Sequence, residues 1–126
     1  MKIRPASIDD ARTLFAWRND PLTRAMSKTT DVVEWAGHIE WLGRRLARPE
    51  PGLFIAEIDG VPVGTFRVDD GEISYTIAPE HRRLGYAKAM LTLAKEMFGP
   101  LRAEIKAENV PSIKAAAATG HVVVNI

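Results

Sequence analysis

The stretch from residue 53 to residue 77 admits few folds. Three strand-like runs, 53–58, 62–68 and 72–77, are separated only by turns containing Asp59-Gly60 and Asp69-Asp70-Gly71. Links this short, built on Asp-Gly, join antiparallel neighbours and leave no room for a crossover. A three-stranded meander therefore occupies the middle of the chain, and the flanks must cover its faces. On the N-terminal side, residues 2–6 read as a first strand. Ser7 followed by Asp10 is a helix-capping pattern, and Ala11, Leu14, Phe15 and Trp17 then keep helical spacing until Asp20-Pro21 stops it. Asp31 with Glu34 repeats the capping pattern. Trp35, Ile39, Leu42 and Leu46 follow as an apolar stripe ended by Pro49 and Pro51-Gly52, with Trp17 and Trp35 read as core.

Beyond the meander a helix is expected from Gly85, with Ala87, Met90, Leu91, Ala94, Met97 and Phe98 on one face and Gly99-Pro100 at its end. Leu101, Ala103, Ile105 and Ala107 then alternate with Arg102, Glu104, Lys106 and Glu108, the pattern of a strand with one buried face. A short helix over 111–118 and a last strand over 121–126 complete the series. The expected order is β-α-α-β-β-β-α-β-α-β. This is an α+β chain with a mixed, mostly antiparallel sheet, helices on both faces and one parallel crossover. No linker or repeat divides it, so residues 1–126 read as a single domain.

Composition mainly excludes. A formal net charge of +1 gives no global field toward nucleic acid or membrane. The absence of cysteine rules out a disulfide scaffold, a thiolate metal site and a cysteine nucleophile, and no metal site is expected. Met1 to Pro5 lacks the apolar run of a signal peptide and no stretch approaches a membrane span, so a cytoplasmic location is expected.

Positive charge concentrates at Arg44, Arg45 and Arg48, and again from His81 to Lys88. The second cluster is the informative one. A strand ends at Pro79, a basic turn follows, and a helix opens at Gly85 and Ala87. A helix start carries unpaired N–H groups and the positive end of the helix dipole, and glycine lets a phosphate approach the backbone. With Arg82, Arg83 and Lys88 beside it, the turn reads either as a pyrophosphate cradle or as a tight turn with a solvated basic face. It has the spacing of neither GxxxxGK[ST] nor GxGxxG.

Arg82, Arg83, Leu84, Gly85, Tyr86 and Ala87 resemble motif A, R/Q-x-x-G-x-G/A, of the GNAT family of N-acetyltransferases. The resemblance extends over the opening Ile3-Arg4-Pro5-Ala6, the meander, and Asn109-x-x-Ser112-Ile113 with Gly120. It implies an acetyl-CoA-dependent enzyme acetylating a small-molecule amine. Backbone groups of Tyr75, Thr76 and Ile77 would meet the acyl and pantetheine parts of acetyl-CoA, where that strand splays from the one beginning at Leu101. Backbone N–H groups from Leu84 to Lys88 would take the pyrophosphate, and Asn109 and Ser112 would contact the pantetheine arm. Asn109 reads equally as the cap of the helix that follows it. Glu104 matches a position that serves as general base, with Glu72 a weaker candidate; the alternative for Glu104 is a solvated strand face with Arg102 and Lys106.

The region from Trp17 to Arg24, with Ser27 and His38 to Leu42, is similar to the acceptor side of nucleotide-sugar amine acetyltransferases. That similarity gives Arg18 and Arg24 to phosphates, Trp41 to a base or sugar, and a binding or proton-moving role to His38. Each also has a structural reading, and related loops occur in enzymes acetylating protein N-termini.

Two departures stand out. Ala116 occupies the place where many relatives carry a tyrosine acid, and the chain ends at Ile126, where relatives usually add one more strand. These keep a non-catalytic CoA-binding or assembly module as an alternative. They also suggest a homodimer through an uncovered C-terminal edge strand bearing Val122, Val123 and Val124.

Overall fold

The computed structural model describes residues 1–126. Its strands β1 (Lys2–Pro5), β2 (Leu53–Ile58), β3 (Val61–Asp69), β4 (Glu72–Ile77), β5 (Arg102–Ile105) and β6 (Val122–Asn125) lie side by side in chain order in one six-stranded sheet. β1 to β4 are antiparallel, as the tight turns require. Asp59 and Gly60 have φ of 50° and 78°, and Asp70 and Gly71 have 48° and 77°. Left-handed backbone at two successive turn residues matches the twist of a hairpin, which is why Asp-Gly stands at both. β5 and β6 each join in parallel, so there are two parallel crossovers where the sequence suggested one.

Five helices cover the sheet: α1 (Ala11–Arg18), α2 (Pro21–Met26), α3 (Trp35–Leu46), α4 (Tyr86–Phe98) and α5 (Val110–Ala118). On one face Leu14 and Trp17 of α1 and Leu42 of α3 pack over Leu53, Ile55 and Ala78. On the other, Met90, Leu91 and Ala94 of α4 and Ala115 and Ala116 of α5 pack over Phe66, Ile73, Ala103 and Ile105. The α+β class with helices on both faces is as expected. His121, next to β6, is buried between the layers. Its Nδ1 accepts from the Leu101 N–H at 3.0 Å, while its Nε2 donates to the Leu91 carbonyl at 2.8 Å, tying the sheet to α4.

Local readings of the flanks needed four corrections. Asp20-Pro21 ends α1 but also begins α2: the Asp20 carboxylate accepts from the Thr23 N–H at 3.1 Å, and Pro21 takes the first helical turn. The Asp31/Glu34 pattern caps nothing, since α3 begins after Glu34 without a side-chain cap bond. Trp35 is not core. It is 38% exposed, edge-on to Phe15 and under the Arg12 guanidinium. The alternation from Leu101 to Glu108 forms a strand only over Arg102–Ile105.

Ala116 is fully buried in the α4–α5 core. A tyrosine there would have to displace packed neighbours, which commonly costs about 1–3 kcal/mol. β6 lies at the sheet edge, with Val122 exposed.

Candidate active site

β4 and β5 part almost at once. Glu72 pairs with Arg102, the Arg102 N–H donates to the Gly71 carbonyl at 2.8 Å, and from Ile73 onward no residue of β4 pairs with β5. Backbone groups of a central strand are thus left without ladder partners, which a buried sheet normally avoids. Tyr75 bridges part of the opening. Its hydroxyl bonds the Ser112 hydroxyl and donates to the Ser112 carbonyl at 3.1 Å. Burial pushes this phenol above the usual tyrosine range, against the Ser112 hydrogen bond.

After β4, Pro79–His81 makes one turn of 3-10 helix, Arg83 sits at φ 64° and Gly85 at φ 79°, and α4 begins. A non-glycine residue in left-handed backbone is uncommon and marks a turn whose path is over-determined by its surroundings. A Cβ on Gly85 would meet nothing within 4 Å, so the space above it is open. The first intrachain N–H bond of the helix comes from Ala89 to the Gly85 carbonyl, leaving the five N–H groups from Leu84 to Lys88 without partners. Arg83, Leu84, Gly85 and Lys88 are exposed around them. Arg82 is placed differently from the rest of the turn. Its guanidinium binds Asp20 at 2.7 Å and the Thr23 hydroxyl at 2.9 Å, fastening the turn to α2. Desolvation raises the Asp20 carboxyl, but Arg82 and the Thr23 N–H outweigh it and hold the group below the usual carboxylate range.

A cavity of about 500 Å³ lies under α1, α2 and α3 and reaches through the β4–β5 opening. Arg18, His38, Trp41, Glu104, Tyr75, Thr76, Asn109 and Ser112 all line it, whereas Ile77 and the turn from Arg82 to Lys88 do not. Arg24 is not among them; its Nε donates to the Thr30 carbonyl at 3.2 Å. Asn109 occupies the cap position of α5 without making a cap bond, so its amide is available to the cavity. The Ser112 hydroxyl, by contrast, is taken by Tyr75.

Arg18 donates to the Thr29 carbonyl at 2.9 Å. His38 is 4% exposed, and its Nε2 lies 3.0 Å from the Ala11 carbonyl, so that nitrogen carries the proton. Burial pushes the imidazole below the usual histidine range despite that carbonyl, leaving a neutral ring at the cavity wall.

Glu104 does not stand free. Lys28 binds it at 2.5 Å and Arg102 at 2.7 Å, and Lys28 also reaches Glu72 at 3.0 Å. The hydrogen bond from Lys28 is the leading reason that the Glu104 carboxyl lies below its usual range. Lys28 is raised in turn, first by Glu104 and then by Glu72. Lys28 was not singled out in the sequence, and no local pattern marks it, because its partner Glu72 is 44 residues away. Arg67 was also missed, though its position next to buried Phe66 on β3 assigns it to the opposite, cavity-facing side of the sheet.

The family profile described as an acetyltransferase (GNAT) domain matches residues 1–122. Among solved structures, a ribosomal-protein-alanine N-acetyltransferase from Brucella melitensis superposes with a TM-score of 0.72 at 24% identity, covering 95% of this chain and 83% of that one. A spermidine N-acetyltransferase from Vibrio cholerae, in complex with CoA and spermine, gives 0.79 at 15% identity over 94% and 79%. The aminoglycoside acetyltransferase AAC(6')-Ib, in complex with coenzyme A and kanamycin, gives 0.73 at 17% over 94% and 82%. At these identities the likeness establishes the fold. No curated protein matches the chain in sequence.

Proposed function

This chain belongs to the GNAT acetyltransferase family, and from that premise we propose that it moves an acetyl group from acetyl-CoA to an amine held in the cavity beneath α1–α3. The observation that carries the reading is the pairing of two unsatisfied backbone features: the splayed edge of β4, and the partnerless N–H groups from Leu84 to Lys88. Five N–H groups at the start of a 13-residue helix, with no Cβ to crowd Gly85, suit a pyrophosphate. Arg83 and Lys88 add charge, while Arg82 fixes the turn through Asp20. The free edge of β4 at Tyr75, Thr76 and Ile77 suits an extended arm, with Asn109 across the opening. When bound, acetyl-CoA supplies an acetyl group already activated as a thioester.

The chain's own residues then have two tasks. An ammonium entering the cavity must lose a proton, since a free alkylamine sits near pKa ~10. In this reading Glu104, which lines the cavity at the β4–β5 opening, accepts it. Because Lys28 holds that carboxylate ionised and weakly basic, an acceptor ammonium must take the place of Lys28 before Glu104 can act. A backbone N–H on the unpaired edge of β4 is suited to stabilise charge on the reacting carbonyl oxygen.

Of the finer acceptor classes, a nucleotide-linked amino sugar draws support from Arg18, His38 and Trp41 lining one cavity, and loses the support of Arg24, which lies outside it. The relatives named for spermidine, aminoglycosides and ribosomal-protein alanine span other amines on the same fold. The test has two parts. Acetyl-CoA at a hundredfold excess over its Kd should stabilise the chain by about 2.7 kcal/mol, seen as a rise in Tm. An amine panel with acetyl-CoA should then release free thiol. No rise in Tm at millimolar acetyl-CoA would overturn the cofactor reading; a rise with no thiol from any amine would favour a CoA-binding module.

A further inference from the structure

The guanidinium of Arg67 makes no hydrogen bond within the chain. Its nearest acid is Asp69, 3.9 Å from its Nε. That carboxylate is already bound by Arg45 at 2.9 Å and Arg48 at 3.2 Å, so three guanidiniums share one aspartate. Arg45 is committed there: it is 4% exposed and donates also to the carbonyls of Pro51, Gly52 and Val68. Arg67 instead lies 5.7 Å from the centre of the Trp41 ring. With Arg18 it borders both the 500 Å³ cavity and an adjoining one of about 210 Å³, whose remaining walls are Val33, Gly37, His38 and Trp41.

The walls of the smaller cavity carry two guanidiniums and no carboxylate, and a concave surface of that kind gains most from a bound anion. A guanidinium with an unfilled fork offers it two parallel N–H donors. The Arg67 side chain is 44% exposed, so a solute can reach it, and the neighbouring Arg45 and Arg18 charges, only partly offset by Asp69, favour an arriving anion.

We propose that Arg67 and Arg18 form an oxyanion subsite in the acceptor cavity, so that the acceptor is an amine also carrying a carboxylate or phosphate, with its flat portion against Trp41. The subsite is distinct from the Glu72–Glu104 pair, whose cations are Lys28 and Arg102. The proposal rests on the reading of this cavity as the acceptor site and narrows its substrate class.

Two measurements test it. With saturating CoA present to occupy the turn before α4, inorganic phosphate is titrated against wild type, Arg67→Met and, as a charge-loss control, Arg44→Met, an exposed arginine on α3 paired to Glu40. Phosphate binding weakened at least fivefold in Arg67→Met and kept in Arg44→Met supports the subsite. Equal affinity in wild type and Arg67→Met overturns it.

The second arm compares matched amines bearing a free carboxylate, its methyl ester, or a phosphate ester. A preference of tenfold or more in kcat/KM for an anionic acceptor, collapsing in Arg67→Met and partly kept in Arg67→Lys, is expected. The faster of the two anions identifies which group the site takes. A rise in Tm with acetyl-CoA together with equal use of ester and acid overturns the subsite and leaves the acetyltransferase reading standing. No rise with acetyl-CoA overturns that reading, while the phosphate titration still decides the fate of Arg67.

Discussion

The turn before α4 and the segment between α1 and α3 are joined through Arg82 and Asp20, both are polar, and they are built in opposite ways. In the turn, the N–H groups from Leu84 to Lys88 have no partner, and Arg83 and Lys88 point into solvent. In the segment every polar side chain from Asn19 to Lys28 is engaged. Asn19 exchanges two bonds with Val33, Ser27 donates to the Thr23 carbonyl, Arg18 and Arg24 hold the carbonyls of Thr29 and Thr30, and Lys106 reaches in to the Ala25 carbonyl. Lys28 then crosses to Glu72 and Glu104. The first region is suited to a ligand that backbone alone can recognise. The second must exchange internal partners for those of a ligand, so the function of its side chains depends on which bonds open.

The sharpest way to break this contrast is Gly85→Glu. A side chain at φ 79° is strained, and this one puts a carboxylate over the free N–H groups, where the helix start would satisfy it internally. Acetyl-CoA affinity should fall by at least a hundredfold, and the rise in Tm should vanish. Binding of the anionic acceptor should persist. An unchanged shift would mean that the turn is merely a solvated basic loop.

Glu104→Gln addresses the opposite region with a smaller effect. If Glu104 accepts the acceptor's proton, kcat should fall by about 10²-fold, and KM for acetyl-CoA should move little. The loss should shrink as pH approaches the amine's own pKa, because more acceptor then arrives neutral. Equal kcat at every pH would leave Glu104 as an anchor for Lys28 and move the proton to another group, with Glu72 next in place.

The same contrast explains what was legible in the sequence. The meander could be read because Asp59-Gly60 and Asp69-Asp70-Gly71 act locally, as could the turn, where glycine, basic residues and a helix start are contiguous. The acceptor side could not, for two physical reasons. Asp20-Pro21 serves as both stop and start signal, because a proline that ends one helix is well placed in the first turn of the next. The partners of Lys28 and Arg82 lie far along the chain: Arg82 meets Asp20 across 62 residues. Ala116 is a different case. The sequence marks it as the place of an absent tyrosine acid, and it is completely buried in the α4–α5 core.

The smallest expected effect is the most diagnostic, because it asks whether the closed network itself sets the chemistry. Lys28 is raised by Glu104 and Glu72, so its contribution to stability is complete below the ordinary lysine pKa and lost only as pH rises through the raised value. Glu104 is lowered, first by Lys28, so its contribution is complete above the ordinary carboxylate pKa and lost as pH falls through the lowered value. Between about pH 6 and 9 both ions are therefore present and the bridge is closed. Lys28→Met removes the main stabiliser of ionised Glu104 and leaves Arg102, so the Glu104 pKa moves up toward its ordinary value. The acid limb of the kcat profile should move to higher pH. On the plateau kcat should rise by roughly two- to fivefold, since a stronger base is a better proton acceptor and no internal cation has to leave. Tm at neutral pH should barely change, because Lys28 is 56% exposed at its side chain and exposed pairs contribute little. A plateau that falls while the acid limb stays fixed would make Lys28 a residue that holds the acceptor, and the segment between α1 and α3 would then bind directly, as we propose for the turn before α4.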